Sequence, residues 1–226
     1  MLRIPEPELM EDAAQAAAYA EADFSEADML FLDLFEKHFP PGSWLGPVLD
    51  LGCGPGQIVL KFAARWPVAA VDGLDGSRAM LDLAEAARGR VSPGIACRVR
   101  FVQGLVPDAM LPESRYGALT CNSLLHHLPR ADLLWSLLPK VLLPGAPVLV
   151  MDLMRPDSES AARDVVARYA AQAPEVLRQD FFNSLLAAYT VDEVTAQWAQ
   201  ADWDMGVFQV HQVSDRHWAA WGRMPR

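Results

Sequence analysis

Cysteine is scarce in this chain. The three residues present, Cys53, Cys97 and Cys121, form no C-x-x-C pair and have no histidine at ligand spacing. That pattern argues against a metal site, and free buried thiols suit a reducing, cytoplasmic setting. Positive charge is also short: 19 basic residues stand against 29 acidic ones, a net charge of −10, and no basic cluster exceeds two adjacent positions. Nucleic-acid binding needs a basic face to displace counterions, so an RNA or DNA substrate is disfavoured and a small molecule is expected. No apolar run approaches the roughly 20 residues of a membrane span. Met1 to Met10 lacks the basic-then-apolar layout of a signal peptide.

What is present is an apolar, globular composition. At 226 residues and 52% hydrophobic, the chain can bury a large core as one α/β domain, residues 1–226. No repeat, low-complexity tract or linker interrupts it. The most informative stretch is Val48-Leu49-Asp50-Leu51-Gly52-Cys53-Gly54-Pro55-Gly56. A buried strand accounts for its first part, and a turn too crowded for a Cβ accounts for its alternating glycines. Gln57 to Trp66 follows with helical spacing. Strand, glycine turn and helix bring backbone N–H groups and a helix N-terminus towards a bound ligand.

The spacing is not the dinucleotide fingerprint, because Gln57 stands where G-x-G-x-x-G needs its third glycine. It is G-x-G-x-G with Asp50 two residues ahead. About twenty residues on, Val71-Asp72-Gly73-Leu74-Asp75 ends a second strand and puts Asp75 where a ribose-binding carboxylate belongs. Asp72, three residues earlier on that strand, points elsewhere.

These two motifs resemble the class I S-adenosylmethionine (SAM)-dependent methyltransferases of the small-molecule and quinone type. The resemblance implies a Rossmann-like α/β fold: seven mostly parallel strands flanked by helices, an N-terminal helical segment (1–44) and a helical insertion after strand 5 (155–203). It implies SAM as cofactor, with S-adenosylhomocysteine as product. Gly52, Cys53, Gly54 and Gly56 would shape the turn around the aminoacyl end. Asp50 would orient that end, Asn122 would lie near its amino group, and Asp75, followed by Gly76, would grip the ribose. Relatives place an acid after the glycine that ends strand 3, but here Leu105 follows Gly104. The adenine contact then passes to Gln103, to backbone atoms or to Asp108.

The remaining chain reads in order. Glu8 to Phe39 has helical spacing, with Ser25 as an N-cap and Tyr19, Asp23 and Phe24 as candidates for closing the site. Ser77 caps the helix after Asp75. Arg98–Gln103 is a third strand and Tyr116–Ser123 a fourth, followed by Asn122-Ser123-Leu124-Leu125-His126-His127. His126 or His127 can act as a general base, and since neighbours point apart one of the pair is expected to be structural. Pro147–Leu153 is a fifth strand carrying Asp152, with Arg155 just beyond. Two helical stretches follow, and Thr190-Val191-Asp192-Glu193 is a capping box for a helix to Ala201. Asp180, Phe181, Phe182, Asn183 and Tyr189 mix aromatic bulk with polar groups, as pockets for small molecules do. Gly206–Val213 and Trp218–Gly222 alternate as final strands, joined by a turn holding Asp215, Arg216 and His217.

The expected function is methyl transfer to a small-molecule acceptor, with His126, His127, His217 or Tyr189 as possible bases. Tyr19, Asp152, Arg155, Asp180, Asn183 and Arg216 are expected around the acceptor. A second reading keeps the SAM site for other chemistry, such as forming carboxylated SAM, where Arg155 or Arg216 would meet the added carboxylate. A third is a non-catalytic SAM-binding protein. The acceptor atom stays open, as does the choice between monomer and homodimer.

Overall fold

The structure is a computed structural model and describes residues 1–6, 9–200 and 208–226. Seven strands among them form one sheet: β1 (Val48–Leu51), β2 (Val71–Asp75), β3 (Val99–Gln103), β4 (Ala118–Asn122), β5 (Pro147–Leu153), β6 (Gln209–Gln212) and β7 (His217–Arg223), in the order β3-β2-β1-β4-β5-β7-β6. The first five are mutually parallel, and β7 runs antiparallel between β5 and β6. Every residue of β1 and of β5 is buried, which is why both read as nearly unbroken apolar runs.

Alternate residues serve opposite faces. Val148 and Val150 join Leu49, Leu51, Leu119 and Trp218 on one side, under the helix α6 (Asp132–Val141). Leu149 and Met151 join Val48, Ala118 and Ala219 on the other. There α2 (Ser25–His38) and α3 (Gln57–Arg65) contribute an aromatic cluster, in which Phe62 lies 4.1 Å from Trp66 and 5.0 Å from Phe35 between ring centroids.

The chain builds β1, β2 and β3 outwards in one direction, then returns to lay β4 and β5 on the other side of β1. The strand order therefore reverses between β1 and β4, where open α/β sheets form a crevice at the carboxyl ends. Over this edge lie α1 (Ala13–Glu21), α7 (Glu159–Tyr169) and α8 (Glu175–Ala187). The segment ahead of α1 is tied down at several points. Arg3 donates from Nε to the Ala187 carbonyl at 2.5 Å and from Nη2 to those of His126 and Leu128, and its guanidinium sits 4.2 Å from the Tyr189 ring centroid.

Several sequence expectations need adjusting. The stretch from Glu8 to Phe39 is two helices, broken at 22–24, and Glu8 itself lies outside the described residues. Ser25 does not cap α2; its own N–H donates to Asp23 Oδ1 at 3.0 Å. Tyr116 precedes β4 and makes a single bridge to Leu142. A short helix α5 (Pro93–Ala96) precedes β3, and α4 (Arg78–Arg88) carries the expected Ser77 cap, with Met80 N–H on Oγ at 3.1 Å. The capping box of α9 (Val191–Gln200) is reciprocal: Thr190 N–H donates to Glu193 Oε2 at 2.9 Å, and Glu193 N–H to Thr190 Oγ1 at 3.2 Å. Ala201, Gly206 and the end of the 155–203 insertion lie outside the described residues.

Candidate active site

A cavity of about 770 Å³ opens at the crevice between β1 and β4. Its inner end is the glycine turn. Gly52, Gly54 and Gly56 all have positive φ (69°, 51° and 80°), a conformation that costs an ordinary residue about 1–2 kcal/mol. Their surroundings differ. A Cβ on Gly52 would stand 2.9 Å from Leu124 Cβ, and one on Gly56 2.7 Å from Phe101 Cζ, whereas one on Gly54 would meet nothing within 4 Å. The outer two glycines serve packing, and the middle one faces open space. Gly52 and Gly54 line the cavity, and Gly56 lies behind it.

Two carboxylates support the turn. Asp75 accepts the Gly54 N–H on Oδ2 and the Ser77 N–H on Oδ1, each at 2.8 Å, and burial raises its pKa. Each carboxylate oxygen has a second lone pair, so Asp75 keeps acceptor capacity for a ligand. Asp50 lines the cavity, accepts from Thr120 Oγ1 at 2.7 Å, and is pushed by burial up to about 7. Asn122 completes this end. Its Nδ2 donates to Ser123 Oγ at 3.2 Å, while its buried Oδ1 has no partner among the described residues.

The outer end is built from imidazoles. His126 lies in a 3-10 turn (Leu125–His127) after β4, with Nδ1 2.6 Å from Asp152 Oδ1. Burial works against the Asp152 charge, but the His126 ring and the N–H groups of Leu153 and His126 outweigh it and hold that carboxyl below the ordinary range. His126 Nε2 has no partner among the described residues. His217 opens β7 with Nδ1 2.9 Å from Ser214 Oγ, and burial, aided by Arg216, pulls its pKa down to about 4. His127 is pulled by burial, then by His126, to about 3.

The structure brings together Asp50, Gly52, Cys53, Gly54, Asn122, His126, His127, His217, Tyr19, Asp180 and Arg216 around this one cavity. His126 and His127 both line it, with ring centroids 3.9 Å apart. The tight 3-10 turn keeps successive side chains closer in direction than a strand would. Asp180 accepts from Gln15 Nε2 at 2.8 Å, and Tyr19 packs on Phe24 at 4.8 Å.

Other predicted residues lie elsewhere. Asp152 stands behind His126 rather than on the wall. Arg155 is buried against the Ala188 carbonyl (3.0 Å) and Glu193 (2.6 Å). Tyr189 sits beneath Arg3, and Asn183 accepts from Gln179 Nε2 at 2.7 Å, away from the cavity. Asp75, Gly76, Gln103, Gly104 and Leu105 are also off the wall. Gly76 is covered by Leu105 and Leu9, whose side chains would stand 2.5 and 2.7 Å from a Cβ there, and Gln103 Nε2 donates to the Gly76 carbonyl at 3.3 Å. Asp108 is exposed. Sequence reasoning missed Ser214, Arg168, Tyr169 and Arg3. Ser214 alone carried a local signal, as the turn residue ahead of His217.

The methyltransferase-domain family matches residues 48–145, from the start of β1 to the turn before β5. The trans-aconitate 2-methyltransferase of Methylobacterium nodulans is 37% identical over 58% of this chain and 46% of its own length. That of Variovorax paradoxus is 32% identical over 56% and 45%. Over residues 48–145 the chain is similar to the methyltransferase-domain family.

The chain spans about half the length of the curated relatives it matches. Its fold extends further than the sequence likeness. The plantazolicin methyltransferase BpumL, solved with a desmethylPZN analog and SAH, superposes at TM-score 0.72 with 15% identity, over 94% of this chain and 90% of that one. A SAM-dependent methyltransferase from Aquifex aeolicus gives 0.64 with 15% identity over 93% and 98%. Among the described residues no helix is long and apolar enough to cross a membrane, and no three His, Cys, Asp or Glu side chains are grouped to hold a metal ion.

Proposed function

We propose that this domain transfers the methyl group of SAM to a small-molecule acceptor. The observation that carries the proposal is the continuity of one cavity, from the Gly52–Gly54 turn to the imidazoles of His126 and His217. Its volume, about 770 Å³, lies within the roughly 300–1,000 Å³ of small-ligand sites. The donor set fits SAM. The orphaned Asn122 Oδ1 and the Asp50 carboxylate suit an ammonium group, and Asp75 has acceptor capacity for ribose hydroxyls. Leu9 and Leu105 offer apolar surface to the adenine in place of an acid.

When bound, SAM supplies a methyl group already activated on sulfur. The protein then needs mainly to align the acceptor and exclude water. Residues 1–44 and the insertion from 155 supply that closure, through α1, α2 and α8. The carboxylated-SAM reading is less well supported, because Arg155 is taken by Glu193 and Arg216 is held between Asp215 and the Tyr169 ring.

Titration calorimetry tests the proposal. SAM and S-adenosylhomocysteine should both give binding heat, and Asp75→Ala should weaken SAM by about 1–3 kcal/mol, the scale of a lost charged hydrogen bond. No heat with either molecule would end the proposal, and an unchanged affinity would remove Asp75 from the site.

A further inference from the structure

Two of the three cavity imidazoles, His126 and His217, are held in opposite tautomers. Asp152 is a carboxylate and can only accept, so the hydrogen between it and His126 sits on Nδ1. The lone pair of the neutral ring is then on Nε2, which is buried without a partner. At His217 the assignment inverts. Ser214 Oγ already accepts the N–H groups of Arg216 (3.2 Å) and His217 (3.0 Å), so its own hydrogen goes to His217 Nδ1. His217 must carry its hydrogen on Nε2.

The cavity therefore offers one nitrogen that takes a proton and one that donates a hydrogen bond. We infer that the acceptor is an uncharged hydroxyl compound with a neighbouring oxygen: His126 removes the hydroxyl proton, and His217 holds the second oxygen. This rests on the methyl-transfer reading above and names its substrate class. The step balances. The hydroxyl proton moves to His126 Nε2, the freed oxygen pair forms the new O–CH3 bond, and the former C–S pair stays on the departing sulfur, which becomes neutral. Asp152 is a positioning residue that stabilises the resulting imidazolium.

Charge argues the same way. Glu21, Asp23, Glu26, Asp28, Asp50 and Asp180 line the cavity, against Arg168 and Arg216, with Asp28 bridged by Lys61 at 2.6 Å and Glu26 by Arg216 at 3.5 Å. Both arginines already pair with Asp215. A carboxylate acceptor would arrive with no proton to lose, facing the His126 lone pair and this excess of acid. The domain is thereby separated from its trans-aconitate-methylating relatives.

Nitrogen-15 NMR of the imidazoles reads the tautomers without any substrate. The expected spectrum has His126 protonated at Nδ1 and His217 at Nε2; a proton on His126 Nε2 in the neutral ring overturns the inference. Methyl-tritiated SAM is then offered with catechol, 2-hydroxyacetophenone, trans-aconitate and benzylamine. Label is expected on a hydroxyl probe only. His126→Gln should lower kcat for that probe by about 100-fold or more, the scale of a lost general base, with SAM affinity within about twofold. His217→Gln should raise KM more than it lowers kcat. Label on trans-aconitate or benzylamine, label on no hydroxyl probe despite SAM binding, or a His126→Gln enzyme within about threefold of wild type each overturns it. An absence of heat with SAM would instead strike the methyl-transfer reading, while the imidazole spectrum would still decide the tautomers.

Discussion

At the glycine turn the cavity wall is backbone: the positive-φ glycines Gly52 and Gly54, with the amide of Gly54 braced by Asp75. At the far end the wall is side chain, where His126 and His127 meet groups far away in sequence and His217 is held by Ser214 in the turn before it. Asp152 is 26 residues from His126 and Arg3 is 123. The first end is specified by a local run of residue types, because only glycine tolerates the conformation. The second is specified by partners, and a partner is invisible until the chain is folded. The same division follows ligand roles: a near-invariant cofactor can be met by backbone, whereas an acceptor is chosen by side chains on β-strand ends and inserted helices.

The largest expected effect comes from breaking the backbone end in two ways. Gly52→Val combines positive-φ strain with a Cβ 2.9 Å from Leu124, so it should destabilise the fold by about 2–5 kcal/mol. Gly54→Ala meets nothing within 4 Å, so its fold should lose only the strain of about 1–2 kcal/mol. It puts a methyl group into open space beside Asp75, and SAM affinity should drop by roughly 2–3 kcal/mol, some 30- to 150-fold. Chemical denaturation and calorimetry separate the two. Equal losses of stability in both variants would remove the distinction between a packing glycine and a ligand-facing one.

How much of this was legible follows the same line. Val48–Gly56 and Asp75 could be read because φ requirements and strand ends have short-range signatures, and the Thr190–Glu193 capping box was readable for the same reason. The seven-stranded, mostly parallel sheet came with the family resemblance. The acceptor end was only half legible. His126, His127 and His217 were identified as residues, but their tautomers needed Asp152 and Ser214 in place. Tyr189 and Arg155 had the right chemistry but are consumed by Arg3 and Glu193, on segments no local pattern connects to them. The adenine end was obscured by Leu9, which reaches Gly76 from 67 residues away by way of the Met10–Ser77 hydrogen bond.

The two ends should also respond oppositely to pH in the ligand-free protein. Burial raises Asp50 from 3.8 to about 7, so its contribution to stability is fully present below 3.8 and is lost as pH rises through 7. Burial lowers His217 from 6.5 to about 4, so its contribution is present above 6.5 and is lost as pH falls towards 4. At 1.36 kcal/mol per pH unit the Asp50 window is worth about 4 kcal/mol and the His217 window about 3 kcal/mol. Wild type should hide much of this, because the two contributions cancel where their windows overlap. Urea melts at pH 7 and 4.5 should show His217→Asn losing less stability on acidification than wild type, and Asp50→Asn losing more. Parallel shifts of both variants would mean that the two ends do not differ in the sign of their charge burden.

The smallest effect tests the side-chain end by its helix face. Leu177, Asp180, Phe181 and Ser184 of α8 line the cavity, and at 3.6 residues per turn Asn183 stands about 100° round from Ser184. Counting residue types in the stretch placed Asn183 among acceptor contacts, but the helical period takes it off that face, where Gln179 is its partner. Asn183→Ala should therefore change stability by no more than about 0.5 kcal/mol. It should leave both SAM affinity and acceptor turnover at wild-type values. Asp180→Ala, one turn earlier on the lining face, should alter turnover while cofactor affinity holds, because it removes the carboxylate that ties α8 to Gln15 across the cavity mouth. A turnover defect in Asn183→Ala as large as that in Asp180→Ala would show that the acceptor reaches beyond the cavity wall, and the sharp boundary between lining and supporting side chains would fall with it.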